Sequence, residues 1–396
     1  MNLYNFTNYD FNNKKKIKKK KVVIVVIAII LFLCIFLGIC GYIANYKIRQ
    51  GIDKYIFRKE VTENNIKNIE ISTEENQYIY AFDKYIVTLN KNMLNLYSQF
   101  GKKEEELQIN ISNPIFKSSN RFLGIAEKNG GKLYLISGNS ILWQKDIEGN
   151  IIKINVNKNG YVSAIVSDTS YKNVIVTFNP EGKELFKTYL SSTTAEDIDI
   201  SNDNKYLAIA EINISGSIIK SSIKVISIEK AQTDPSNSIV HTYNAENDVL
   251  ITKIKYQDKN KLVCMYNDKI HLIIDEQDEV LEDLEKNKIN FADIKLNNSF
   301  VKSIEKNQSV FKANSQISIV NLNTKKESIY MLEGIPKNVY TYDSTIALNL
   351  GTEVHFINLN GWLIKKYVSD QEIKDIVLGG NIAGIVYRDK IEIIVL

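Results

Sequence analysis

The chain has 396 residues, 44% of them apolar and 24% charged, with four prolines and no Pro/Gly/Ser linker, which excludes extended disorder beyond its first twenty residues. Its net charge of +4 is local: residues 1–21 carry seven lysines against Asp10, residues 22–49 add Lys47 and Arg49, and about −4 is left for the remainder. In that remainder lysines alternate with Asp and Glu, so no concentrated basic face is expected and nucleic acid is excluded as a partner.

Residues 1–21 read as a basic cytoplasmic tail. Val22–Ala44 comes next, 23 residues without a charge. At about 1.5 Å per residue it reaches roughly 34 Å, enough for a bilayer core of about 30 Å. A cleaved signal peptide would have a shorter apolar core and an A-x-A site, and neither is present. Leu37-Gly38-Ile39-Cys40 lacks the small residue that precedes a lipidated cysteine. The segment is therefore predicted to be a transmembrane helix and the chain's contact with the membrane. The lysines at 14–16 and 18–21 outnumber the spread of Lys47, Arg49, Lys54, Arg58 and Lys59, which favours a cytoplasmic N-terminus and an extracytoplasmic C-terminal domain at the cell membrane. About twenty residues precede the span, too few for a signalling output domain on that side. Cys34 and Cys40 lie in the span and Cys264 stands alone in Leu262-Val-Cys-Met265, so no disulfide framework is expected and Cys264 reads as a buried, inert thiol.

After a stalk, residues 45–65, residues 66–396 become short strands rich in Ile, Val, Tyr and Leu, punctuated by Gly, Asn and Asp. One strand type recurs, opening a set each time, at Tyr85, Arg121, Tyr161, Lys205, Lys261, Phe300, Thr345 and Ile382, at intervals of 36, 40, 44, 56, 39, 45 and 37. A period near 40 with four strands per period predicts an all-β β-propeller. Tight turns of the form Asn179-Pro-Glu-Gly182 and Asn358-Leu-Asn-Gly361 join later strands of a set, because Asn opens the turn and Gly accepts its positive φ. The final residues supply two strands, Ile382–Val386 and Lys390–Val395, and the start of the domain supplies two more, Ile66–Ile71 and Gln77–Phe82. Two and two would close an eighth blade and remove exposed edges. The acidic stretch Glu276–Asn287 is a poor strand former, so seven blades is the alternative.

The segment Ile200-Ser-Asn-Asp-Asn-Lys-Tyr-Leu-Ala-Ile-Ala210 is similar to the Ser-x-Asp turn and inner strand of WD40-like and TolB-like propellers, with Asp203 capping its own turn. Together with Gly216-Ser-Ile-Ile-Lys-Ser-Ser-Ile-Lys-Val225, and over essentially the whole chain, it resembles the uncharacterised clostridial-type family of single-span, membrane-anchored, WD40-like propeller proteins. That resemblance implies architecture and no activity.

No catalytic, cofactor or metal constellation stands out. His241, His271 and His355 are isolated, each inside an expected strand, and no H-E-x-x-H, G-x-S-x-G or phosphate loop occurs. Gly130-Gly131 and Gly379-Gly380 read as turn glycines, Glu104–Glu106 and Glu276–Glu285 as solvated surface. Asp197-Ile-Asp199 begins the alternation of a calcium loop, but Ile200-Ser201-Asn202 breaks it. Two tryptophans, Trp143 and Trp362, do not match the repeated tryptophans of quinone-dependent propeller dehydrogenases. The expectation is therefore a non-enzymatic binding or scaffold module at the cell envelope, recognising a protein or envelope polymer. Its longest hairpin, Asn213–Ser222, and the connection Ala231–Asn237 are the expected specificity loops. The alternative is an extracytoplasmic enzyme with its site in the propeller channel.

Overall fold

A computed structural model describes residues 11–60, 66–72, 77–309 and 312–396. By internal contacts the chain forms two units, Met1–Lys59 and Glu60–Leu396. In the first, helix α1 (Phe11–Ala44) includes Lys21–Ala44, long and apolar enough to cross a membrane. A second helix, α2 (Tyr46–Tyr55), occupies the segment expected as a stalk. Arg49 donates from Nε and Nη2 to the carbonyls of Tyr42 (2.9 Å) and Ile43 (2.7 Å), satisfying acceptors that the end of α1 leaves open. The Asp53 carboxylate, buried, accepts from the Tyr42 hydroxyl at 2.8 Å and pairs with Lys59 at 2.7 Å.

The second unit is eight four-stranded antiparallel sheets, the blades of a closed propeller. Blades 1 to 7 are continuous in sequence: 77–108, 114–146, 150–190, 194–244, 251–283, 289–333 and 338–368. Blade 8 combines Asp375–Leu378, Ile382–Val386 and Lys390–Val395 with Lys67–Glu70 as its outer strand. Alternation explains the stacking. In Val162–Ser167 of blade 3, Val162, Ala164 and Val166 face the core shared with blade 2, and Ile165 faces the core shared with blade 4. Eight such core clusters occur, one between each neighbouring pair of blades, including one where blade 8 meets blade 1. Blade 2 comes so close to blade 3 that a Cβ on Gly124 would lie 2.7 Å from Val156 Cγ2, which is why that strand carries a glycine.

Eight blades is the observed count, but closure differs from the expected two and two: three strands come from the C-terminal end and one from the N-terminal end. Gln77–Phe82 pairs instead with Tyr85–Asn90 through a two-residue turn with Asp83 at φ 49°. Local hairpin closure costs little entropy and takes the strand before a distant partner can. Asp375–Leu378, only four residues long, fills the vacated inner position. The recurring strand expected to open each set is the second of its sheet. It is sandwiched between blades and apolar on both faces, so its pattern outshines the inner strand, whose alternate residues are polar. Blade 5 has all four strands, with Gln277–Asp283 as its outer one. This perimeter strand turns Asp278 and Glu279 to water and buries Glu282 against Lys302, so poor propensity does not prevent pairing. In Asn213–Ser222 the connection is residues 214–219, and among the described residues the longest paired strands are Ser299–Ser309 and Lys312–Asn321 in blade 6, which outrun both flanking strands. Residues 231–237 of the expected second loop fall in the short helix α3 (Ile228–Thr233) and the turn Pro235–Asn237.

Candidate functional site

The inner strands surround the ring's axis, and their polar residues divide the channel into two halves. In blades 3, 4, 5 and 6 the inner strand carries a β-bulge at the same place, between Ile151/Lys153, Ala195/Asp197, Ile251/Lys253 and Ile289/Phe291. A bulge shifts the side-chain alternation and re-aims the residues after it. In these four strands those residues include charged and polar ones: Lys153 and Asn155, Asp197 and Asp199, Lys253, Lys255 and Gln257, and Asp293, with Lys295 just past the end of the last strand. The inner strands of blades 1, 2, 7 and 8 pair without such a shift. Blades 1 and 7 supply tyrosines instead: Tyr80 contacts Ser118 at 3.2 Å, Tyr342 interacts with Ser118 and the Asp83 backbone, and Tyr340 interacts with Asp375. Burial pushes the Tyr342 hydroxyl up to about 12, so it is a neutral donor.

These groups join each blade to the next. Asp197 pairs with Lys153 at 2.8 Å and accepts the Ile254 N–H at 2.9 Å. Asp199 accepts from Asn155 at 2.7 Å and from the Tyr256 N–H at 2.6 Å. Gln257 donates to the Ile294 carbonyl at 2.9 Å, and Thr341 donates to Asp293 at 2.9 Å. An inner strand is a sheet edge with unpaired backbone groups, and side chains from the neighbouring blade satisfy them. The Asp-x-Asp pattern at 197–199 is thus a blade-to-blade clamp.

Lys117 lies on the inner strand Pro114–Ser119 of blade 2. The charges that act on it belong to Asp197, Asp199, Lys255 and Lys295, on blades 4 to 6. Lys117 is half-buried. Desolvation, then the like charge of Lys255, pulls its ammonium down to about 8. Among the described residues no carboxylate lies within salt-bridge distance of it, whereas Lys153, Lys255 and Lys295 each face one, at 2.8, 3.4 and 4.0 Å.

One end of the ring is more apolar than the other. The upper end carries the links between blades and the turns between second and third strands; the lower end carries the remaining turns. Tyr78, Ile152, Tyr171, Tyr189, Ile214, Ile218 and Ile335 are exposed at the upper end, Ile214 by 64% and Tyr189 by 53%. Tyr171 and Tyr189 stand together, ring centroids 4.8 Å apart. At the lower end, among the described residues, Phe100, Ile239 and Val395 are exposed, and Leu142 and Ile329 stand exposed in the lower halves of outer strands. A groove of about 510 Å³ also opens at the upper end between blades 5 and 6, walled by Met265, Tyr266, Ile289 and Phe291 and edged by Asn267, Glu285 and Lys288.

The three histidines lie in strands on different blades: His241 in Ile239–Asn244, His271 in Lys269–Ile274, His355 in Glu353–Asn358. His271 stacks on Tyr266 (4.1 Å) and meets Asp278 at 2.9 Å. His355 is buried, with Nδ1 2.7 Å from the Tyr330 hydroxyl and Nε2 bonded to Glu353. Cys264 is fully buried, and burial pushes its thiol well above the ordinary range. Asp203 accepts from Ser201 Oγ at 2.7 Å and from the Lys205 N–H at 3.3 Å, capping its own turn. Gly130-Gly131 and Gly379-Gly380 lie in turns between consecutive strands. Among the described residues no three His, Cys, Asp or Glu gather as a metal site. The inner-strand lysines went unnoticed in the sequence; the signal available was polar alternation just before the recurring second strand, as in Lys253-Ile-Lys255-Tyr-Gln257.

Residues 56–396 match DUF5711, a family of unknown function. Among curated proteins none matches the chain. The C-terminal WD40 domain of Sif2 superposes with a TM-score of 0.52 at 14% identity, covering 83% of this chain and 99% of that one. A eukaryotic initiation factor superposes at 0.50 with 11% identity, covering 82% and 87%. BamB from Moraxella catarrhalis gives 0.49 at 10% identity over 85% and 99%. At such identities the first two likenesses show a shared fold and nothing of activity.

Proposed function

We propose, given that this chain belongs to the DUF5711 family of unknown function, that it is a non-catalytic binding module held at the cell membrane by Val22–Ala44, its propeller on the extracytoplasmic side. The partner is a protein or envelope polymer, received at the upper end of the ring. The observation that carries this reading is the asymmetry of exposed apolar side chains: Tyr171, Tyr189, Ile214 and Ile218 stand out to solvent on the neighbouring blades 3 and 4. A rigid ring holding such side chains in place loses little entropy when a partner settles on them. The blade 5/6 groove at the same end adds a concave surface of mixed polarity.

A photo-crosslinking amino acid placed at Tyr189 or Ile214, and at Phe100 as the lower-end control, tests the reading in intact cells. Crosslinks at the two upper positions that are absent at Phe100 are expected. Equal capture from both ends, or none from the upper end, would remove the basis for this assignment.

A further inference from the structure

We propose that residues 45–59 form a lateral foot that lies in the membrane–water interface and binds anionic lipid headgroups. The inference rests on reading α1 as a membrane span, and it holds whichever side carries the propeller. Helix α2 crosses the end of α1 instead of continuing it. On one straight helix Tyr42 and Asp53 would stand about 16 Å apart along the axis, yet the Tyr42 hydroxyl donates to Asp53 at 2.8 Å. Lys59 pairs with the same carboxylate at 2.7 Å, and the Phe57 ring meets that of Tyr42 edge-on, centroids 5.9 Å apart. The bend therefore falls where the apolar segment ends, at Ala44. The faces of α2 are reversed for a helix in water. Arg49 and Asp53, one turn apart, face α1. Ile48 and Tyr55, seven residues apart and so on one stripe, are 46% and 75% exposed. Ile56 and Phe57 follow at 68% and 57%. They are held in place: both their N–H groups donate to the Ile52 carbonyl, and the Lys59 N–H donates to that of Asp53. This apolar surface begins one turn beyond the span, at the level where acyl chains give way to headgroups. Charge agrees with the placement. Lys47, Arg49, Lys54, Arg58 and Lys59 stand against Asp53 alone, a net +4 on the segment. Aromatic and basic side chains are what an anionic interface attracts. A foot locked at this angle would fix the depth and rotation of the span.

The test uses the full chain in lipid nanodiscs, spin-labelled at one cysteine at a time, with the buried Cys264 left in place. The label goes on Ile56→Cys and on Lys145→Cys of the propeller perimeter, each in a Cys34→Ala, Cys40→Ala chain, and on native Cys34 in a Cys40→Ala chain. Phe57→Cys replaces Ile56→Cys if that variant does not fold. In discs containing phosphatidylglycerol the label at 56 is expected about 5–10 Å below the headgroup level, open to oxygen and severalfold less open to an aqueous nickel chelate than the label at 145. In phosphatidylcholine discs, or at high salt, it should rise toward water. A label at 56 as open to water as that at 145, with Cys34 in the lipid, overturns the foot and leaves the span standing. Cys34 outside the lipid overturns the anchoring reading together with the foot. Equal depth in both kinds of disc overturns the choice of anionic lipid. Shielding at 56 that appears only when two chains share a disc overturns the lipid and assigns the surface to a second copy.

Discussion

Asp199 shows how one side chain can hold two blades. It is 1% exposed, and its carboxylate takes a hydrogen bond from Asn155 on one side and from the Tyr256 N–H on the other. In Asp199→Ala both donors lose their partner inside the protein, and each such loss costs about 1–3 kcal/mol, so a total of about 2–6 kcal/mol is expected in urea unfolding. Asp203→Ala, which removes a cap within one exposed turn, should cost about 1 kcal/mol. Glu353 gives a pH signature. Its hydrogen bond to His355, helped by Lys366 and opposed by burial, holds its carboxyl at about 2 against an ordinary 4.5. A depressed carboxyl stabilises the fold above its unfolded pKa and loses that contribution as pH falls through the folded value. Stability worth about 1–3 kcal/mol should therefore disappear between about pH 4.5 and pH 2, and Glu353→Gln should flatten that limb of a pH-stability curve.

Turns and bulges decide what each strand presents. The turn Asn179–Gly182 in blade 3 is readable from its residues, but its second role is not: the Pro180 carbonyl accepts from Trp143 of blade 2 at 3.0 Å, and Gly182 lies against the indole. A Cβ at position 182 would stand 2.8 Å from Trp143 Cγ on a backbone with φ 78°. Gly182→Ala should therefore destabilise by about 1–3 kcal/mol and alter Trp143 fluorescence. The four aligned bulges are a different case. Ile151-Ile-Lys153 and Ile251-Thr-Lys253 contain nothing that marks a bulge, because the extra residue is defined only against the partner strand. The charged half of the channel was hidden in the sequence for that reason, although each of its residues was in plain view.

At the scale of the whole molecule, closure controls stability. Ending the chain after Gly379 removes the two central strands of blade 8, leaving Lys67–Glu70 and Asp375–Leu378 without partners and exposing Ile86 and Phe356 on the neighbouring blades. Each large apolar side chain so uncovered costs about 1.5–3 kcal/mol against a typical total of about 5–15 kcal/mol, and the truncated protein should be insoluble or rapidly proteolysed. Unfolding at the same temperature as the full chain would contradict the three-plus-one ring. Topology has its own measurement: protease added to intact protoplasts should digest the propeller and spare a tag on the N-terminus, and protection of the propeller would reverse the orientation. Hydrophobicity and alternation are properties of neighbouring residues, so the apolar helix at Val22–Ala44, the blade period and the sandwiched second strands could all be read along the chain. Packing set the rest: which strand closes blade 8, where the bulges turn the lysines and aspartates, and which end of the ring is apolar. Those outcomes depend on pairing between residues as far apart as Ile69 and Ile391, a pairing that no local pattern encodes.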